Sequence, residues 1–144
     1  MKLRLTAKIQ NAGGVKEVYD YVVKGKGREA WRDEYQWIGD FHDGLAVVKR
    51  KGKFGIVDEL GREVIPPKYT QINNLDYGGG WGFDNNGLAV VQLDGMWGMI
   101  NMDGKVVVPI EYDEIGGNWR HGAWVILNTN RGILKPNGKI FFQN

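Results

Sequence analysis

The chain has 144 residues, of which 42% are hydrophobic and 25% charged, with a formal net charge of +2. This length suits one domain with a core of its own. The nearly balanced charge gives no strong field to attract nucleic acid or an anionic membrane. The absence of cysteine excludes disulfide scaffolds, cysteine-ligated zinc and thiol nucleophiles.

The N-terminal segment from Met1 to Ile9 alternates charged and apolar residues, and its part from Leu3 to Ile9 has the alternation of a strand. A signal peptide needs an unbroken apolar run, and a membrane-spanning helix needs a longer one. Neither pattern occurs along the chain. We therefore expect a soluble, cytoplasmic protein without membrane insertion.

Short runs rich in β-branched residues predict strands along the rest of the chain. Ala46-Val47-Val48 and Ala89-Val90-Val91 have the length of strands rather than helices. Asp94-Gly95 predicts a two-residue hairpin turn, because both positions tolerate positive φ. A further strand runs through Val106-Val107-Val108 and stops at Pro109, which cannot donate to a ladder. Each unit is thus predicted to be a three-stranded meander, with a short fourth strand at its Tyr-x-x-Ile segment left open.

The strand pattern is duplicated. Gly44-Leu45-Ala46-Val47-Val48 recurs 43 residues later as Gly87-Leu88-Ala89-Val90-Val91, and the same offset relates Phe54-Gly55 to Trp97-Gly98. A degenerate copy starts at Gly122, which follows Gly87 by 35 residues. We predict one repeat domain over residues 1–144, divided into a partial unit (1–40), two full units (41–82 and 83–118) and a degenerate unit (119–144).

The second full unit carries the most specific motif. Its run Gly95-Met96-Trp97-Gly98, followed by Gly104, Val108-Pro109 and Tyr112, resembles the WG repeat of bacterial proteins, also called the KWG repeat. The other units carry Phe54 and Arg131 where this one carries Trp97. The resemblance covers residues 21–144. It implies a bacterial β-repeat array that serves as an interaction module, and it implies no reaction, cofactor or catalytic residue.

The expected fold class is all-β, an array of about four meander-type β-repeats. One meander cannot bury its apolar face alone, so neighbouring units must pack together. We expect a solenoid-like or rolled sheet, and a propeller-like array or a closed barrel is the alternative. The propeller ranks lower because the units look short of four full strands.

Residues for catalysis are scarce. The chain lacks serine as well as cysteine, and its threonines follow no nucleophile pattern. His42, near Asp40 and Asp43, and His121 lack the fixed spacing to carboxylates that a metal site needs. We interpret both histidines as turn or solvated residues. The prediction is no enzyme, no catalytic residue, no metal site and no cofactor.

The linker between the two full units is longer than the other two linkers by roughly eight or nine residues. Insertions in repeat arrays map to loops on one face, often the binding face. Tyrosine and tryptophan are common interface anchors. The predicted binding residues are accordingly Asp76, Tyr77 and Trp81 of this insertion, with Trp37 and Trp119 of the other linkers. The alternative is that Trp81 folds back and plugs the end of a sheet.

We expect a non-enzymatic binding module that binds another protein through its inter-repeat loops. The alternative is a carbohydrate or cell-envelope ligand bound by the linker tryptophans. Repeated aromatics along one exposed edge would favour carbohydrate, and a single aromatic loop would favour protein. The basic run 49–53 has no counterpart in the second full unit, so we do not expect nucleic acid binding.

Overall fold

The computed structural model describes residues 29–142, which contain a 3-10 helix, Ala30–Glu34, and twelve β-strands. The described residues divide into two units, one with residues 29–36 and 60–62, the other with 37–59 and 63–142. All twelve strands belong to the second unit. The predicted strand from Leu3 to Ile9 lies outside the described residues. In the described part, no helix has the length and apolar character needed to cross a membrane.

The strands form three four-stranded antiparallel sheets, each a meander of sequence neighbours. The first sheet consists of β1 (Trp37–Ile38), β2 (Leu45–Arg50), β3 (Lys53–Asp58) and β4 (Glu63–Tyr69). The second consists of β5 (Gln71–Asn73), β6 (Leu88–Leu93), β7 (Met96–Asn101) and β8 (Val106–Tyr112). The third consists of β9 (Glu114–Asn118), β10 (Gly122–Leu127), β11 (Asn130–Leu134) and β12 (Ile140–Phe142). The expected array of meander β-repeats is confirmed, and the described strands form no closed barrel.

The fourth strand left open by the sequence is present, and it opens the next sheet. β4 ends at Tyr69 and β5 begins at Gln71, so the single residue Thr70 carries the chain from the first sheet into the second. Asp113 occupies the same place between β8 and β9. Each of these residues donates its main-chain N–H to the next sheet, Thr70 to the Gln92 oxygen at 2.8 Å. The propeller-like array ranked lower because the units looked short of four strands. Each sheet has four strands, so that argument no longer holds.

The central hairpin of each sheet closes with two residues at positive φ. These turns are Lys51-Gly52, Asp94-Gly95 and Asn128-Thr129. Positive φ at both positions matches the twist of the flanking strands. The hairpin predicted at Asp94-Gly95 is therefore confirmed, and the third turn reaches the same backbone conformation without glycine.

Strand pairing defines the offset between the second and third copies. Val125 lies opposite Gly132, as Val91 lies opposite Gly98, so both strands of the hairpin are displaced by 34 residues. The sequence match that aligned Gly122 with Gly87 was wrong by one residue. A glycine before a β-branched run is a weak marker of register, whereas a two-residue turn leaves only one pairing.

The glycine of the Trp-Gly pair lies where adjacent strands approach closely. A Cβ atom at Gly98 would lie 2.6 Å from the Val108 oxygen and 2.6 Å from the Ile110 Cα atom. At Gly55 the corresponding distance to the Ile65 oxygen is 2.5 Å. In both sheets the strand pairing is shifted at this point by a bulge. Only glycine admits such an approach, which is the physical reason for its recurrence.

Two apolar cores lie between consecutive sheets. The first joins residues of the first sheet, among them Val47, Ile56, Ile65 and Tyr69, to Ala89, Val91 and Ile100 of the second. The other joins Val90, Met99 and Val108 of the second sheet to Ala123, Val125 and Leu134 of the third. Alternate residues of β6 thus point to opposite cores, as the two-residue period of a strand requires. The second sheet is buried on both faces.

Candidate functional site

Aromatic side chains from two inter-repeat linkers meet at one exposed edge. The ring centroids of Trp37 and Trp81 lie 5.4 Å apart, with the planes tilted by 51°. Phe54 completes the group, 5.4 Å from Trp81 and 6.2 Å from Trp37. Phe54 is buried, whereas Trp37 keeps 40% and Trp81 53% of its surface exposed. We call these three residues the aromatic cluster.

Trp37 is positioned by the short strand β1, which pairs with β2 and places Trp37 opposite Lys49. Its ring lies on Gly39, where an added Cβ atom would be 2.9 Å from the indole Cη2 atom. The Gly39 N–H donates to the Val47 oxygen at 2.8 Å, which fixes the backbone beneath the ring. The position of Trp37 is therefore set by main-chain pairing rather than by its own loop.

Trp81 is positioned by a linker that doubles back on itself. The Asn74 N–H donates to the Gly80 oxygen at 3.0 Å, and Asn73 forms an isolated bridge with Trp81. At the tip, Gly78 and Gly79 have φ values of 92° and 74°, a region open to glycine but strained for other residues. Because Trp81 remains about half exposed, it does not plug the end of a sheet.

The aromatic cluster borders a cavity of about 510 Å³, which lies within the second unit. Trp37 and Trp81 form part of its wall. Apolar side chains line its interior, among them Leu45, Ala46, Val47, Ile56, Phe83 and Met102. A cavity of this size, apolar with a few polar groups, has the character of a ligand pocket.

Polar groups at the cavity carry negative charge. Asp40 and Asp43 line it and are exposed, and His42 lies between them in the sequence. The Asp43 carboxylate is 3.8 Å from His42 Nε2, and these side chains are 86% and 84% exposed. No lysine or arginine is found among the described residues that line the cavity.

Asp84, which also lines the cavity, is buried and fully engaged. One carboxylate oxygen accepts the N–H groups of Asn86 (2.8 Å) and Leu88 (3.0 Å). The other accepts the indole N–H of Trp119 at 2.7 Å. Trp119 is half-buried against the core between the second and third sheets, and its main-chain N–H donates to the Leu75 oxygen. Among the predicted binding residues, Trp119 therefore orders the cavity wall and does not line the cavity.

Asp76 and Tyr77 lie on the same linker as Trp81 but have other neighbours. An Asp76 carboxylate oxygen accepts the Asn85 N–H at 3.2 Å, which ties the loop to the segment before β6. Tyr77 is 64% exposed and lies against the linker after β9. The Arg120 guanidinium is 4.9 Å from the Tyr77 ring centroid, and the His121 ring is 5.2 Å away. The predicted residues thus separate into a Trp37–Trp81 site and a Tyr77 contact.

Two chemical features of the described residues concern possible metal ligands and the pKa of one buried tyrosine. Between residues 29 and 142, no three His, Asp or Glu side chains are grouped so as to hold a metal ion. The pKa of the Tyr112 phenol is raised, first because it is buried and second because of the Glu111 carboxylate. Tyr112 belongs to the core between the second and third sheets, so this shift reflects packing.

Sequence reasoning missed part of the cavity. The sequence presents Asp40 and Asp43 as possible metal or base partners of His42, and it gives no sign that Phe54 lies beside Trp37 and Trp81. The contact between Trp37 and Trp81 depends on the β1–β2 pairing and on the backward course of the long linker. The available signal was the presence of both tryptophans in inter-repeat linkers.

Comparison with family models agrees with the repeat architecture. The model of a family described as "WG containing repeat" matches three consecutive segments, residues 34–54, 54–97 and 97–126. A crystal structure of a protein of unknown function from Bacteroides caccae is similar at 15% identity, with a TM-score of 0.32. That similarity covers 72% of this chain and 43% of the other, so this chain spans less than half of that protein's length. No curated protein matches the sequence.

The matched segments span well over half of the chain, and they meet at Phe54 and Trp97. Each of these aromatic residues precedes a glycine that the close approach of neighbouring strands requires. The chain therefore belongs to the family of WG-containing repeat proteins.

Proposed function

We propose that this protein is a non-enzymatic binding module that binds another protein through its inter-repeat loops, at the cavity bordered by Trp37 and Trp81. The observation that carries the proposal is the meeting of these two exposed indoles, from separate linkers, beside an apolar cavity. Exposed tryptophans next to a pocket are typical anchors of protein interfaces. An enzyme is disfavoured by the scarcity of nucleophiles in the sequence.

The character of the cavity favours a protein as its occupant. Its interior is lined by aliphatic side chains such as Leu45, Val47 and Ile56. Apolar side chains of a partner gain free energy on burial there, about 25 cal/mol for each Å² of apolar surface removed from water. A sugar presents many hydroxyl groups, which lose free energy when they are buried without hydrogen-bond partners.

Carbohydrate is the second candidate, and one observation favours it. Trp37 and Trp81 come from different linkers and share one exposed edge, as expected for an aromatic surface that receives sugar rings. Two features weaken this candidate. The two indoles are tilted by 51° rather than coplanar, and Trp119 is hydrogen-bonded to Asp84 and does not line the cavity.

The test compares the parent protein with three variants: Trp37→Ala, Trp81→Ala and Tyr77→Ala. Tyr77→Ala is the matched control, because Tyr77 is an exposed aromatic on the same linker as Trp81 but does not line the cavity. Each immobilised protein is exposed to a lysate of the source organism. Every retained protein is then purified and titrated calorimetrically against all four proteins, after circular dichroism has shown that each variant is folded.

We expect at least one purified partner to bind the parent and the Tyr77→Ala variant equally. An interface tryptophan at a hot spot contributes about 2 kcal/mol or more, so Trp37→Ala and Trp81→Ala should each weaken binding about 30-fold. A partner lost equally in the Tyr77→Ala variant would move the interface to the Tyr77 contact. Absence of any Trp-dependent protein, with Trp-dependent binding of an oligosaccharide on a glycan array, would replace this proposal with the carbohydrate candidate.

A further inference from the structure

Two aromatic rings outside the aromatic cluster lie against arginine side chains. The Arg120 guanidinium lies 4.9 Å from the Tyr77 ring centroid, and Arg131 lies 5.1 Å from the ring of Trp124. An ammonium or guanidinium near an aromatic face is attracted by the negative charge density of the ring. Internal cations thus cover two aromatic rings near the third sheet, the exposed Tyr77 and the partly buried Trp124.

The aromatic cluster already holds a cation on one side. The Lys49 ammonium lies 5.4 Å from the ring centroid of Phe54, beside the strand position of Trp37. On the cavity side, no lysine or arginine of the described residues lies over Trp37 or Trp81. These two indoles nevertheless keep 40% and 53% of their surface exposed. Trp37 and Trp81 thus differ from Tyr77 and Trp124, because no internal cation of the described residues lies over their rings.

The negative charge at the cavity also favours a cation. Asp40 and Asp43 line it, and both are exposed. Among residues 29–142, Asp40 makes no hydrogen bond or ion pair, and Asp43 meets only His42, at 3.8 Å. Within the described part of the chain, no lysine or arginine therefore pairs with either carboxylate at the cavity. An approaching cation gains from both carboxylates and from the indole faces.

From this geometry, we infer that the cavity binds a lysine or arginine side chain presented by the partner protein. The aliphatic stem of such a side chain suits the apolar interior, while its charged end suits the indole faces and the two aspartates. The inference rests on the proposed function and deepens it, because it names the chemistry that the partner must present at this cavity.

The test uses small probes whose binding does not depend on knowing the partner. Blocked tripeptides carry lysine, arginine or norleucine as the central residue, and norleucine reproduces an aliphatic stem without charge. Binding is followed by the indole N–H resonances in two-dimensional NMR, up to about 50 mM probe, where a millimolar dissociation constant saturates. Spectra of Trp37→Phe and Trp81→Phe variants assign the two resonances.

We expect the lysine and arginine peptides to shift the Trp37 and Trp81 resonances and to bind at least about 5-fold more tightly than the norleucine peptide. Trp81→Ala should weaken lysine binding about 2- to 30-fold. The double variant Asp40→Asn/Asp43→Asn should weaken it about 2- to 10-fold and reduce its salt dependence. Asp94→Asn is the matched control, because Asp94 lies in a hairpin turn outside the cavity and should leave binding unchanged.

Three results would overturn the inference. Equal binding of the lysine and norleucine peptides would show an apolar site without a preference for cations. Absence of any shift at either indole would show that the cavity takes none of these side chains. Tighter binding of a neutral disaccharide than of the lysine peptide would identify a sugar site.

Failure of this inference and failure of the proposed function give different results. A partner protein whose binding depends on Trp37 and Trp81, combined with equal lysine and norleucine affinities, leaves the proposed function intact and removes only the cation. A partner whose affinity is unaffected by both tryptophan variants removes the proposed binding site itself.

Discussion

Replacement of Gly98 by alanine tests the physical role of the repeat's glycine. The new methyl group would lie 2.6 Å from the Val108 oxygen, 2.6 Å from the Ile110 Cα atom and 2.7 Å from the Ile110 Cγ1 atom. Two of these atoms are main-chain atoms of the bulged β8 strand, so a side-chain rotation cannot relieve the overlap. The two strands must separate, which disturbs a sheet buried on both faces.

The expected cost follows from two opposing effects. Overpacking at a rigid site costs typically about 1 to 3 kcal/mol, and main-chain overlap places Gly98→Ala near the upper end. Reduced freedom of the unfolded chain returns about 0.4 to 1 kcal/mol. The net loss in the free energy of unfolding is therefore about 2 kcal/mol, or about 6 to 8 °C in melting temperature for a chain of this size.

Gly95→Ala provides the matched control. Gly95 has a φ of 82°, and an added Cβ atom there would meet nothing within 4 Å. Its cost comes from backbone strain alone, which is about 1 kcal/mol. Urea unfolding followed by tryptophan fluorescence measures both variants by linear extrapolation. If Gly98→Ala unfolds within about 0.5 kcal/mol of the parent, or is more stable than Gly95→Ala, strand approach does not explain the glycine.

Three further predictions concern stability. Thr129 has a φ of 71° at the turn position where the other hairpins carry glycine. Thr129→Gly should therefore raise the free energy of unfolding in urea by about 1 kcal/mol, and a lower free energy of unfolding would show that the turn is unstrained. Trp119→Phe removes the indole N–H that donates to Asp84. The free energy of unfolding from thermal melts should fall by about 1.5 to 3 kcal/mol, and an unchanged melt would show that this hydrogen bond contributes nothing. Burial raises the pKa of the Tyr112 phenol above its unfolded-state value of 10.0. The neutral phenol therefore contributes to stability at pH values below 10.0, and this contribution is lost as the pH rises through the folded-state pKa. Tyr112→Phe should therefore lose less stability than the parent protein between about pH 9 and pH 11, and parallel losses would contradict the shift.

The strands of the two full units were predictable because they depend on local chemistry. The offset from Gly44 to Gly87 also relates β2, β3 and β4 to β6, β7 and β8, residue for residue at both ends. Turn dipeptides such as Asp94-Gly95 determine the register of a hairpin within a few residues of chain. Copies of the same local pattern therefore give copies of the same strands.

Features that depend on distant pairing were not predictable from the sequence. A three-residue strand such as β5 has little local signal, and its sheet is decided by the partner, β6, that it meets. The Trp37–Trp81 contact joins residues on two linkers, and its tilt depends on both backbones. The sequence does not show that folding brings the Trp119 indole N–H to Asp84, and it therefore predicts Trp119 as a binding residue.

The single-residue crossings at Thr70 and Asp113 decide where the chain can be divided. A cut at the boundary of the sequence units, after residue 82, would leave β5 in one fragment and its partner β6 in the other. The severed β5 and the uncovered edge of β6 would present unpaired main-chain groups, which invite pairing with other molecules. A cut at either crossing keeps every four-stranded sheet whole. Recombination that adds or removes repeats would likewise preserve the sheets when its junctions fall at these two residues. These junctions do not coincide with the boundaries of the sequence units.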